Sequence, residues 1–318
     1  ENAYVTYHNS YIESCWGVMK QLYDRGLLYE DFKTTWHSPS SNTTLASHEV
    51  ALGYEEDVED PSVFPKFPAV AADLRARGLL PAGEARPVYF LAWTTTPWTL
   101  AANAALAVKA GAEYVLVEGP EAHGGEPARA LYVVAAERLE AGFEGAQGRV
   151  LARAPGEGLT GLRYHPVMLG RAPEGADLAN VYTVVADEIV TLDDGTGIVH
   201  VAPAYGDLEV GRRHGLPLLT SVELTGEVIP EVRPVDGGPD RERPFDAAAL
   251  LSRPAEPGRF AGQWFKDADG PITAELSGRG LMYRAGTIRH GYPFNWRDGK
   301  PLMNVAKRGW YIRTTAVK

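Results

Sequence analysis

Apolar residues recur at Ile12, Cys15, Trp16, Met19, Leu22 and Tyr23 within SYIESCWGVMKQLYDRGLLYE, residues 10–30. Gaps of three and four put these side chains on one face of a helix, and Gly26 stands where a left-handed C-terminal cap belongs. Cys15 lies on that stripe and reads as a core residue. Residues 31–65 are polar and turn-rich, ending in YEEDVEDPSVFPKFP. From about 86 to 204 the pattern changes: VYFLAW, EYVLVE, ALYVVAAERL, VYTVVADEIV and GIVHVAP alternate with Gly, Pro and Asp. Such runs predict short strands joined by turns, hence a barrel or sandwich rather than a doubly wound parallel sheet. GPEAHGGEPARA (119–130) and PVDGGPDRERP (234–244) read as exposed loops, and a last part runs from about 245 to 318. RGLLYEDFKTTWHSP (25–39) resembles RGLMYRAGTIRHGYP (279–293) in order and spacing, a weak echo that fits either an internal duplication or chance similarity.

Composition narrows the class of function. At 318 residues the chain can build a large core, and its net charge of −10 argues against tight, autonomous nucleic-acid binding. Cys15 is the single cysteine, which excludes an internal disulfide and fits a reducing cytoplasm. No window holds the roughly 18 apolar residues of a membrane span, and ENAYVTYHNSYIESCW lacks the pattern of a secretory leader. The sequence begins without Met and is expected to be a piece of something longer. The histidines form no HExxH or close pair, so no metal site is expected. There is no GxSxG nucleophile elbow, and GTG alone is too short for a phosphate loop.

Two stretches carry candidate chemistry. LAWTTTPWTLAANAALAV (91–108) reads as a strand running into a turn fixed by Pro97. Alternation points Thr94 and Thr96 one way and Thr95 the other. Hydroxyls at a strand end donate and accept without charge, which suits a neutral ester or amide; standing alone, the tripeptide reads rather as a threonine-rich edge strand. In DDGTGIVHVAPAYGDLEVGRRHGLP (193–217), Gly195 and Gly197 permit a tight turn before the next strand. Asp207 opens a short helix that Gly215 closes. His200 reads as a satisfied strand histidine, and Asp207 as an N-cap, an ammonium-binding carboxylate, or both.

Together, WTTTPWTLAAN and DDGTGIVHVAPAYGDLE resemble the two signatures of the isoleucyl-tRNA synthetase editing domain. YIESCWGVMKQLYDRGLLYE, SHEVALGYEEDVEDPSVFPKFP, GQWFKDADGPI and YPFNWRDGKPLM resemble the same family in the same order. Trp98 points to the isoleucyl branch, because the valyl and leucyl enzymes carry Arg-Pro after a shorter threonine motif. The resemblance implies an α+β, predominantly β, barrel-like editing domain with peripheral helices. It divides the chain into an N-terminal segment (1–65), an editing core (66–225) and a C-terminal part (226–318) returning towards a catalytic domain. The His-Ile-Gly-His and Lys-Met-Ser-Lys-Ser signatures are absent from this sequence, so neither isoleucine activation nor use of ATP is expected of it.

The implied reaction is deacylation of mischarged Val-tRNA(Ile), with valyl-adenylate as a second candidate substrate. Valine and isoleucine differ by one methylene, too little for one apolar pocket to discriminate, and the isoleucyl enzyme is itself the standard illustration of that limit. A smaller second site can hydrolyse valine and exclude isoleucine by size. The implied partners are the acceptor end of tRNA(Ile) carrying valine and the rest of the synthetase; no cofactor, no membrane, a cytoplasmic location and a monomer are expected. By resemblance Asp207 binds the α-ammonium, with Glu209 the alternative because the loop after Tyr205 is about two residues short. Thr94, Thr95 and Thr96 address the ester, the terminal adenosine and the attacking water. Trp98, Thr99 and Tyr205 wall the pocket, Asn103 donates to substrate or braces the turn, and His200 helps reject isoleucine. No residue is an obvious strong base, so water is expected to be positioned, with help from the ribose hydroxyl. Where many members carry Cys-x-x-Cys zinc knuckles, this sequence has Ser38 and Ser41, then Asn295 and Asp298. The alternatives are a module that docks the tRNA acceptor end through KRGWYIR (307–313) without hydrolysis, and a catalytically inactive remnant.

Overall fold

The computed structural model describes residues 4–119, 130–143, 148–168, 180–235 and 260–317. Most of the two stretches expected to be exposed loops, 120–129 and 236–244, lies outside these residues.

Helix α1, Asn9–Asp24, ends as the sequence requires. Gly26 takes φ 67°, its N–H donates to Tyr23 O, and Leu27 N–H donates to Leu22 O, the paired bonds of a Schellman cap. The apolar stripe, however, is not core. No residue of α1 is buried, Trp16 is 71% exposed, and Cys15 is exposed too, which corrects its assignment to the interior. Period 3.6 records which face a helix would bury, not that a neighbour covers it.

Residues 31–65 prove to be largely strands, interrupted by a short helix, Ser47–Leu52. β1 (Leu28–Ser38) pairs along its length with β14 (Met303–Ile312), from Leu28↔Ile312 to His37↔Met303. β3 (Tyr54–Pro68) pairs with β13 (Met282–Pro293), from Pro293↔Tyr54 to Met282↔Pro65. Both are antiparallel ribbons, and the charged residues of β1 and β3 (Glu30, Lys33, Glu55, Glu56, Asp57 and Glu59 among their exposed positions) are why they read as turn-rich. The similar stretches fold alike: helix Asp269–Gly278 leads through Gly280 at φ 68° into β13, with Leu281 N–H on Leu276 O.

The expected strands of the middle region are present: β4 (Val88–Leu91), β6 (Glu113–Glu118), β7 (Leu131–Ala135), β9 (Thr183–Ala186) and β10 (Ile198–Val201). With β5 (Ala105–Val108) and β8 (Val150–Pro155) they form two sheets, ordered β13-β3-β4-β7-β6-β8 and β10-β5-β9. β11 (Leu219–Val222) and β12 (Val228–Pro234) make a two-stranded sheet, and β2 (Thr43–Thr44) extends β1. Isolated bridges stitch the two main sheets together: Thr94↔Val63, Trp93↔Val199, Ala69↔Tyr164 and Arg163↔Thr183. The architecture is thus α+β, predominantly β and barrel-like, although no sheet closes on itself among the described residues. Phe67, Phe90, Leu100, Leu106 and Tyr164 lie fully inside its core, with the Phe67 and Tyr164 rings edge-on at 5.4 Å.

The turns after β1 and β13 meet. Asn295 Nδ2 donates to Ser38 Oγ at 3.0 Å, Ser41 Oγ to Ser38 Oγ at 2.9 Å, and Ser40 Oγ to Asp298 Oδ2 at 2.6 Å. This set of hydroxyls, an amide and one carboxylate does not fit a structural zinc, which takes thiolate or imidazole ligands.

Candidate active site

β4 delivers the chain to Trp93 and Thr94, which bridge β10 and β3, and Pro97 then opens a 3₁₀ turn, Pro97–Ala102. The preset φ of proline suits that first position. Here the threonines bond mainly to one another. Thr94 Oγ1 lies 3.2 Å from Thr96 Oγ1, which lies 3.1 Å from Thr99 Oγ1. Thr99 Oγ1 donates to Thr96 O at 2.8 Å and lies 2.8 Å from His200 Nε2. One proton assignment satisfies all four groups: Thr94 donates to Thr96, Thr96 to Thr99, Thr99 to the Thr96 carbonyl, and His200 Nε2–H to Thr99. Thr94 Oγ1 in turn accepts from Thr96 N–H at 3.1 Å.

That assignment needs a proton on Nε2, and the Asn103 amide facing Nδ1 leaves the ring neutral. Burial favours the neutral form, pushing His200 down to about 4. Behind the ring, Asn103 Nδ2 sits 3.5 Å from His200 Nδ1 and donates to Ala105 O at 2.9 Å. Its Oδ1 accepts from the Tyr164 hydroxyl at 2.6 Å. Asn103 is fully buried, so it braces the histidine. Tyr164, which sequence reasoning passed over, holds that brace.

Thr95 is different. It is half-buried, and its hydroxyl has no partner among the described residues, so the alternation leaves it as the available oxygen of the turn. Trp98, Thr99 and His200 are buried. The Trp98 ring meets Tyr205 at 4.8 Å and Phe265 at 5.0 Å, edge to face in both cases. The Tyr205 hydroxyl accepts from Ser221 N–H at 2.8 Å and Val222 N–H at 2.9 Å, and lies 2.9 Å from Thr220 Oγ1. Tyr205 also lines a cavity of about 600 Å³ with Phe32, Val305, Lys307 and Arg308. Of the expected site residues it alone does so.

Asp207 occupies the N-cap position of helix α2, Leu208–His214, but its side chain does not cap it. Oδ2 instead accepts from Ala202 N–H at 2.9 Å, tying the helix start back to the end of β10. Burial pushes Asp207 up to about 6, opposed by that bond and reinforced by the charge of Asp187. Its Oδ1 has no partner among the described residues. Glu209, two positions on, is exposed and pairs with Arg212 at 2.8 Å. Gly215, at φ 61°, closes the helix as expected.

One site-adjacent acid has no counterpart in the sequence reading. Asp269, 3% exposed at the start of helix α3, Asp269–Gly278, accepts from Trp98 N–H through Oδ1 at 2.9 Å. The only sequence signal was its place within GQWFKDADGPI. Among the described residues no cluster of three or more His, Cys, Asp or Glu is arranged to hold a metal, and no helix is long and apolar enough to cross a membrane.

The family model for class I tRNA synthetases (I, L, M and V) matches residues 1–318, and the chain belongs to that family. Within it, the chain is 39% identical to the isoleucine–tRNA ligase of Dehalococcoides mccartyi over 100% of its own length and 30% of that protein. It is 38% identical to that of Thermus thermophilus over 100% and 26%, and 36% identical to that of Deinococcus radiodurans over 99% and 28%. The chain therefore spans less than a third of the length of these relatives. Among solved structures, the Plasmodium knowlesi cytosolic leucyl-tRNA synthetase editing domain has a TM-score of 0.45 at 12% identity, covering 73% of this chain and 98% of that one. GlLeuRS-CP1 has a TM-score of 0.45 at 16% identity, over 71% and 98%.

Proposed function

We propose that this chain is an editing hydrolase that deacylates Val-tRNA(Ile) and spares Ile-tRNA(Ile). The observation that carries the reading is the threonine turn: three hydroxyls and a neutral histidine lock one another in place and leave Thr95 free. In this reading Thr95 addresses the ester and the attacking water, while Thr94, Thr96 and Thr99 hold it in position. Asp207 Oδ1 takes the α-ammonium of the misattached residue. Trp98, Tyr205 and His200 form the walls that a longer side chain meets, and Asn103 braces His200 from behind. With His200 neutral and its Nε2–H committed to Thr99, the site holds no strong base, so rate comes from positioning water against the ester and its neighbouring ribose hydroxyl. The similarity to isoleucine–tRNA ligases supports the choice of amino acid and tRNA, and supports the rest of a synthetase as the partner.

The test is deacylation of Val-tRNA(Ile) and Ile-tRNA(Ile), with Asp207→Ala alongside. Valine should be lost rapidly and isoleucine kept. Removing the ion pair to the ammonium should raise KM at least about tenfold, as expected of a charge-assisted bond. Failure to cleave either ester overturns the reading. Cleavage insensitive to Asp207→Ala moves the ammonium site to another acid, with Glu209 next in line. A docking role is the second reading: Lys307 and Arg308 of KRGWYIR line the 600 Å³ cavity, and Trp310 beside them is 57% exposed, a pairing of cation and ring suited to single-stranded nucleotides.

A further inference from the structure

The 3₁₀ turn begins with a difficulty. Pro97 has no N–H, and Thr96 at the N-cap makes no side-chain cap bond, so the Trp98 amide would be an orphan donor in the core. It is met from 171 residues away, by Asp269 Oδ1. We infer that Asp269 is the positioning residue of the threonine turn: its carboxylate grips the Trp98 amide and so fixes the backbone from which the Thr94–Thr96–Thr99–His200 chain hangs. This rests on the hydrolytic reading of that site.

The contact is built for more than packing. An apolar residue at 269 would fill the same space with less cost, since burying a carboxylate is expensive. Among the described residues, Asp269 Oδ2 is buried without a partner, as is the Trp98 ring Nε1–H. A carboxylate is a far stronger acceptor than a neutral carboxyl group, so the strength of the grip follows the ionisation of Asp269. The charged groups around it are Lys266 on its own segment, which favours the ionised form, and Asp60 on β3, which opposes it. Lys266 also bonds both Asp60 oxygens, at 2.7 and 2.8 Å. On β13, His290 Nε2 lies 3.1 Å from Asp60, and Tyr292 stays a neutral phenol whose pKa burial raises. Burial dominates and pushes Asp269 up to about 7. Above that pH the grip is tight; below it the carboxyl group is neutral and the turn loosens.

The experiment follows two readouts against pH in the whole chain: kcat for Val-tRNA(Ile), divided by the uncatalysed ester rate at each pH, and the Trp98 backbone amide in ¹⁵N-tryptophan-labelled protein, assigned with Trp98→Phe. Both should change with a shared midpoint near 7. Asp269→Asn keeps an acceptor that cannot titrate, so both changes should vanish while the chain stays folded. Asp269→Ala should lower kcat about ten- to hundredfold with KM little moved, the cost of a small misplacement. A Trp98 amide that does not titrate, or an Asn variant with the wild-type pH limb, overturns the inference. If the wild-type chain hydrolyses neither ester, the hydrolytic reading falls, and the amide titration still decides the Asp269 contact.

Discussion

At the scale of single residues, the site depends on which hydroxyl is left unbonded. Thr95→Val should leave thermal stability almost unchanged and reduce deacylation sharply, because the lost hydroxyl holds nothing else. Thr99→Val should lower both, since it strands Thr96 and His200 in the core and a buried group without its partner costs about 1–3 kcal/mol. Equal melting losses in the two variants would contradict the proton assignment. His200 gives a stability prediction with a definite sign. Unfolded it takes a proton near 6.5, folded only near 4. Between those values the unfolded state holds the extra proton, so the stability His200 confers is full above about 6.5 and drains away as pH falls towards 4. The upper limit is about 3 kcal/mol. In His200→Gln, the slope of unfolding free energy with pH should be shallower in that window, as read by urea denaturation. Asp207 works through binding: its carboxylate gains a proton below about 6, so KM for Val-tRNA(Ile) should rise there in the wild-type chain and stay flat in Asp207→Asn.

Elements were legible where their periodicity was local. The strands β4, β6, β7, β9 and β10 announce themselves by short apolar runs between turn residues, and α2 by Asp207 and Gly215. Gly195 and Gly197 were readable as a tight turn, and both take positive φ, 62° and 74°. Gly197 also touches its surroundings closely: an added Cβ would lie 2.4 Å from Ala135 Cβ. Gly197→Ala should therefore cost about 1–3 kcal/mol and misplace His200, three residues downstream, lowering the melting temperature and deacylation together; an unchanged melting curve would refute the packing argument. β1 and β3 were not legible, because their partners are more than 200 residues away and their outer faces are polar. A separation of 171 residues likewise hid Asp269. Nothing local marks a carboxylate that will cap a turn built from residues 96–99, nor a tyrosine at 164 that will hold Asn103.

Across the whole molecule, the exposed stripe of α1 shows the limit of pattern reading. Periodicity identified the helix and its cap, while burial depends on neighbours that periodicity does not describe. Cys15 on the folded chain should react with a thiol reagent at nearly the rate found in denaturant; strong protection would return it to the interior. The β3–β13 ribbon has a wider consequence. Lys66 N–H donates to Leu281 O at 2.8 Å, and Pro65 stands opposite Met282. The chain thus leaves the ribbon and re-enters it at one point, with about two hundred residues of core hung between. Two ends so close can be joined by almost any intervening length at little entropic cost. Evolution can therefore lengthen, trim or exchange that core as a cassette without disturbing the strands that carry it.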